Sequence, residues 1–150
     1  MKKHGVQSIN TPWSIEYRLG VRYQTEQRER SFGETLRLLR VLDSEYFMTH
    51  GHFHLKRNRT EYYATVEGEG ALILMDESRR TWMEPMSAGS LHFIPPNIAH
   101  RVANSGKLPL RFVACWPSDA GHDYDAIRRL GFSERLLIVN GKASLVESEK

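Results

Sequence analysis

The chain has one cysteine in 150 residues, Cys115, inside the apolar run RFVACWP. A disulfide framework within the chain is therefore excluded. Stability must come from a hydrophobic core, which this length can supply. A lone cysteine in such a run reads as a buried strand residue, not a nucleophile. Long apolar stretches are missing too: none approaches the roughly 20 residues of a membrane span. The first residues, MKKHGVQSINTPW, hold two lysines with no apolar segment behind them, so no secretory signal is expected there. Charge of one sign is also scarce, with a net value of +3 and 26% charged residues. The cations are scattered, which excludes the concentrated basic face of a nucleic-acid binder but would admit anionic small molecules. No repeat, linker or low-complexity tract interrupts the chain. The expectation is one domain over residues 1–150, cytoplasmic, binding neither membrane nor nucleic acid.

What is present is a series of short strand-like runs, with apolar content of 40%. Residues 34–42 are β-compatible, and Glu45–His54 is rich in aromatics. Thr60–Asp76 reads as two strands joined at Glu67-Gly68-Glu69-Gly70. Pro85 marks the next run as an edge strand or a strand end. GSLHFIPP stops at a double proline, and a further pair of strands turns at Ser105-Gly106. The pattern then changes. DAGHDYDAIRRLGF has helical spacing, with Asp119 or Asp123 available as a cap and Gly131 as the stop. RLLIVNGKASLVE closes the chain as a hairpin with an Asn-Gly turn. The spacing predicts an all-β sandwich or barrel with a short helix near the C-terminus.

The stretch THGHFHLKRNRTEYY, Thr49–Tyr63, carries the chemistry. On a strand, His52 and His54 project to one face, and Glu61 and Tyr63 share a face of the next strand. If the intervening loop folds that strand back, the four side chains converge. His100, behind the stiff IPPNIA segment, is the candidate for a further ligand. Three imidazoles and a carboxylate suit Fe, Mn, Ni, Co or Zn, and the absence of thiolates argues against a closed structural zinc site. An isolated His-x-His pair is more often incidental, so spacing alone leaves a polar surface loop open as the alternative. Lys56, Arg57 and Arg59 either steer an anion or form a solvated loop. His92 reads as structural and His4 as a surface residue.

His52-x-His54, Glu61 and Gly68 resemble the first motif of the cupin superfamily. Gly89, Pro95, Asn97, His100 and Asn104 resemble the second. The gap from His54 to Glu61 is longer than in most cupins, and Asn97 stands where glycine is usual. The same runs, with PPNIAHRVANSG and above all WPSDAGHDYDAIRRLGF, are similar to the cupin-type phosphoglucose isomerases over about residues 35–141. Residues 1–30 carry no such motif. The resemblance implies a cupin double-stranded β-helix, or jelly-roll barrel, with residues 1–30 as an N-terminal extension. It implies one divalent metal ion per subunit, Fe²⁺ first, with Mn²⁺, Ni²⁺, Co²⁺ or Zn²⁺ as alternatives, held by His52, His54, Glu61 and His100. Thr35, Thr49 and Gly51 match positions that hold a sugar phosphate, and Tyr124 lines the substrate pocket with them. Glu61, Tyr63 and His122 match residues at the reacting centre. Trp116 replaces a tyrosine, which removes a phenolic hydroxyl. The reaction implied is the interconversion of glucose 6-phosphate and fructose 6-phosphate through a metal-stabilised enediolate, with Glu61 carrying the proton; hydride transfer is the competing idea. A related enzyme on mannose 6-phosphate and a non-catalytic sugar-binding cupin are the alternatives. Cupins commonly pair through sheet edges, so a homodimer is expected.

Overall fold

A computed structural model of the chain describes the backbone of residues 17–24, 27–29, 35–37, 41–42, 44–129 and 131–148, and side chains over 44–129 and 131–148. The strands are β1 (Tyr17–Gln24), β2 (Gln27–Glu29), β3 (Thr35–Arg37), β4 (Val41–Leu42), β5 (Glu45–Tyr46), β6 (Glu61–Glu67) and β7 (Glu69–Met75). They continue as β8 (Thr81–Ser87), β9 (Leu91–Ile94), β10 (Ala99–Asn104), β11 (Leu110–Pro117), β12 (Glu134–Val139) and β13 (Lys142–Glu147). One helix, α1 (Asp125–Arg128), is found among the described residues.

Two sheets form the barrel, ordered β1-β11-β6-β9 and β10-β7-β8. From β6 to β11 the chain winds between them: β6, β9 and β11 join the first sheet, and β7, β8 and β10 the second. This is the double-stranded β-helix of a cupin, with the short late helix that the sequence predicts. The inner faces meet through Tyr63, Leu72, Leu74, Ile94, Val102 and Phe112. A third sheet, β13-β12-β5-β4, covers the outer face of β7, where Ala71, Ile73 and Met75 pack on Phe132 and Leu136. Strand β7 is therefore buried on both faces, which is why GALILM is a continuous apolar run. Strand β9 has one buried face and alternates, with His92 and Ile94 in and Leu91 and Phe93 out.

Turn chemistry follows the sequence closely. Asn140 and Gly141 both have positive φ, 52° and 77°, between Val139 and Lys142 paired across β12 and β13. Pro85 sits on β8, the edge of its sheet, where its missing N–H costs no ladder bond. Asp123, not Asp119, serves the helix start: its Oδ1 accepts the Ala126 N–H at 3.1 Å. Gly131 has φ 60° and donates its N–H to Ile127 O at 2.7 Å, closing the helix.

Two elements are shorter than their sequence patterns. The helix is a single turn. The aromatic run from Glu45 to His54 keeps only Glu45–Tyr46 as a strand, then follows β10 through bridges from Met48 to Ala103 and from His52 to His100. Gly51, at φ 78°, breaks the ladder between them.

Gly68 and Gly89 both have positive φ, but their surroundings differ. A Cβ on Gly68 would press on the Pro109 carbonyl oxygen, whereas one on Gly89 would meet nothing within 4 Å. Gly89→Ala should cost about 1–2 kcal/mol from backbone strain alone. Gly68→Ala should cost at least about 2 kcal/mol more because backbone must move. Urea unfolding of the two variants checks this, and equal costs would refute the close approach.

Candidate metal centre

The segment after β5 is held against β10 by its own backbone and by one side chain. Thr49 donates its N–H to Val102 O at 2.8 Å, and its Oγ1 accepts the Val102 N–H at 2.9 Å. His52 and His100 exchange both backbone hydrogen bonds, at 3.2 and 3.0 Å. They are thus direct cross-strand neighbours, with ring centroids 4.4 Å apart. Glu61 opens β6 from the facing sheet and brings its carboxylate to the same point.

His52, His54, Glu61 and His100 are all buried, and one candidate donor atom from each lies within 4.8 Å of the others. Ring orientation suits coordination. His54 Nδ1 lies 3.1 Å from Arg59 O and His100 Nδ1 lies 3.4 Å from Ile98 O. A proton on each Nδ1 then leaves each Nε2 with its lone pair toward the centre. Both Nε2 atoms approach Glu61 Oε2, at 3.2 Å from His54 and 2.9 Å from His100. The His100 contact is misaligned for a hydrogen bond, leaving its Nε2, His52 Nε2 and Glu61 Oε1 buried without one. Each such orphan costs about 1–3 kcal/mol, and a shared cation would satisfy all of them. Burial, with His100 and His122 adding to it, pushes the His52 imidazole down to about 2. Burial raises the Glu61 carboxyl, but the His100 and His54 imidazoles outweigh it and hold the group at about 2. His52 is therefore held neutral and Glu61 ionised, and three imidazoles around a carboxylate are a donor set that a divalent cation takes.

A cavity of about 100 Å³ opens on two of these residues, His52 and His100, and is also lined by Thr49, Gly51, Tyr63 and Tyr124 among others. Thr49 and His50 also border an adjoining hollow of about 310 Å³ that reaches Arg101. His122 stands over His52, centroids 4.4 Å apart, and stacks on Tyr124 with planes 5° apart. Of the residues singled out in the sequence, Thr35 and His4 cannot be placed here: Thr35 lies on β3 with its side chain outside the described residues, and His4 lies outside them altogether. Sequence reasoning missed His50, which lines the cavity and meets Tyr124 edge-on at 5.6 Å. The alternation that pairs His52 with His54 also includes His50, so the signal was present. His92 is elsewhere, bonded to Glu84 Oε2 at 2.8 Å and Ser90 Oγ at 2.9 Å, a satisfied structural histidine. Asn97 has φ 62°, a conformation asparagine tolerates where glycine is the ordinary choice. Trp116 packs against the core cluster between the two barrel sheets.

The model of the family described as glucose-6-phosphate isomerase (GPI) matches residues 25–150. The chain belongs to this family. It is 38% identical to the glucose-6-phosphate isomerase of Pyrococcus horikoshii over 133 residues, covering 85% of this chain and 70% of that one. It is 36% identical to the enzyme of the same name from Pyrococcus furiosus over 133 residues, with the same coverage. Among solved structures, a cupin 2 conserved barrel domain protein from Salinispora arenicola matches 75% of this chain and 72% of its own, with a TM-score of 0.43 and 14% identity. That score is too low to argue from, and the assignment of this glucose-6-phosphate isomerase family member to the cupin fold rests on its strand order. No helix among the described residues is long and apolar enough to cross a membrane.

The depressed groups set a pH dependence for metal-free protein. His52 drops from 6.5 to about 2 and Glu61 from 4.5 to about 2, so between these limits the unfolded chain binds more protons. Stability is then fully present above pH 6.5 and lost as pH falls toward 2. Urea midpoints of chelator-treated protein should decline from pH 6.5 downward, and His52→Gln should flatten the upper part of that decline. A midpoint independent of pH between 6.5 and 4.5 would contradict the buried neutral His52.

Proposed function

We propose that the protein is a metal-dependent glucose-6-phosphate isomerase, interconverting glucose 6-phosphate and fructose 6-phosphate. The observation that carries this reading is the convergence of three histidines and Glu61 beside a cavity that His52 and His100 line together with Thr49, Gly51, Tyr63 and Tyr124, in a chain of this family. His52, His54, Glu61 and His100 would hold the ion, Fe²⁺ first, with Mn²⁺, Ni²⁺, Co²⁺ and Zn²⁺ as alternatives. When bound, the ion supplies positive charge beside the carbonyl and neighbouring hydroxyl of the open-chain sugar, which stabilises enediolate character there.

The remaining work falls to the chain's own groups. Glu61 has one oxygen directed at the imidazoles and another, Oε1, without a hydrogen bond. Oε1 takes the proton from C2 of the aldose and returns it to C1, while the hydroxyl proton passes from the oxygen on C2 to that on C1. Tyr63 and His122 face the reacting oxygens with groups able to exchange hydrogen bonds. The Thr49 oxygen already accepts from Val102, so its hydroxyl proton is free to donate to phosphate. Positive φ at Gly51 allows a close approach there, with Thr35 as the further hydroxyl of the phosphate subsite. The protein works as a homodimer in the cytoplasm on this reading. The outer face of β6 and β9 supports pairing with a second copy: Tyr62, Val66, Leu91 and Phe93 are 43–69% exposed and none is charged.

Chelator-stripped protein should convert fructose 6-phosphate to glucose 6-phosphate only after a divalent ion is restored, followed with a coupled dehydrogenase. His54→Ala should remove this rescue. Glu61→Gln that still binds metal should lose roughly 10²–10⁴-fold in kcat; retained activity without exchange of the C2 proton into solvent would sink proton transfer by Glu61. Absence of turnover from folded, metal-loaded protein would refute the proposed activity. Sedimentation should give the mass of two chains for wild type and one for Leu91→Asp. A monomeric wild type would refute the pairing.

A further inference from the structure

The loop between His54 and Glu61, the long gap in the cupin motif, contacts the segments that carry His54, His100 and His122. Arg59 O faces His54 Nδ1 at 3.1 Å. Arg57 O accepts the Asn97 N–H at 2.7 Å, in the turn that leads to His100. Lys56 N–H donates to Ala120 O at 2.9 Å. Its cations, which as a sequence could have steered an anion, are instead engaged with the DAGHDY segment. Lys56 and Arg59 both bond Asp119, an exposed arrangement that screening weakens. The Arg57 pair is better protected: Nη2 meets Asp123 Oδ2 at 2.6 Å, with the side chains 33% and 23% exposed. The guanidinium also lies 4.0 Å from the Phe53 ring centroid.

The backbone explains what this pair controls. Asp123 donates its N–H to Phe53 O at 2.8 Å, so Asp123 lies opposite Phe53 in a local bridge. By strand alternation, the side chains of Phe53 and Asp123 take one face, and His52, His54, His122 and Tyr124 take the other. A slip of one residue would turn His122 and Tyr124 away from the ligands. Arg57 lies on the Phe53 ring and grips Asp123, spanning the two residues that define this register. We infer that Arg57 and Asp123 are positioning residues, which hold His122 and Tyr124 over the metal centre by locking the pairing of Phe53 with Asp123. This rests on the proposed role of His122 and Tyr124 at the sugar.

The test uses metal-loaded wild type, Arg57→Ala, Arg57→Lys, Asp123→Ala and the Arg57→Ala/Asp123→Ala double variant. Two readouts are taken: kcat and KM for fructose 6-phosphate, and the ring contact between His122 and His52 by NMR, with metal content measured alongside. Arg57→Ala should retain its metal, lose the ring contact, and fall about 10–100-fold in kcat/KM, the scale of a misplacement of about 1 Å. Arg57→Lys should lie between it and wild type. The double variant should be no worse than the poorer single one, because both remove one interaction. An intact ring contact in Arg57→Ala, or an unchanged kcat/KM in an active enzyme, would overturn the inference. An inactive wild type would count against the proposed function only, since the ring contact still decides the positioning role.

Discussion

The structure depends on one buried carboxylate. Glu61 is 2% exposed, and a charge in that position must be compensated inside the protein. The Nε2 atoms of His54 and His100 face it at 3.2 and 2.9 Å, with His52 beside them, and a cation shared by the four groups would supply the compensation. None of these partners is on the same strand as Glu61. Keeping the carboxylate ionised therefore requires β6 in one sheet and β10 in the other to hold their distance, with the Gly51–His54 segment fixed between. The barrel's core residues Tyr63 and Val102 lie along those strands, so packing and site geometry are one constraint.

Two of the three ligand-bearing segments are irregular near their ligands. Regular strand would serve hydrogen bonding better at Gly51 and at Asn97, yet both have positive φ. At Gly51 a side chain would collide with the Phe132 ring at 2.7 Å. The departure from the ladder lets His52 pair with His100 while leaving space above Thr49 for a ligand. The loop between His54 and Glu61 then restores rigidity that the broken ladder gave up, by bonding to the turn before His100 and to the segment carrying His122. A metal centre built this way has its ring orientations decided by backbone carbonyls, Arg59 and Ile98, before any ion is present.

Much of this was legible in the sequence because it is local. Alternation placed His52 with His54, and the Asn140-Gly141 turn, Pro85 at an edge and Gly131 at the helix end followed from single-residue chemistry. The doubly buried β7 was visible as a continuous apolar run. The long gap after His54 was visible as well, but its purpose was not, because the partners of Lys56, Arg57 and Arg59 are some sixty residues away in sequence. Charge alone could not say whether those cations faced solvent, an anion or a carboxylate.

By itself the sequence determined the period of each strand, the places where the chain must turn, and the residue types able to bind a divalent cation. Those are properties of side chains and backbone torsions within a few residues. The tertiary structure alone decided that β6 and β10 face each other across one core, that Glu61 loses its water there, and that Asp123 lies opposite Phe53. Burial and register are relations between distant segments. They set the charge state of Glu61 and His52 and the face on which His122 stands.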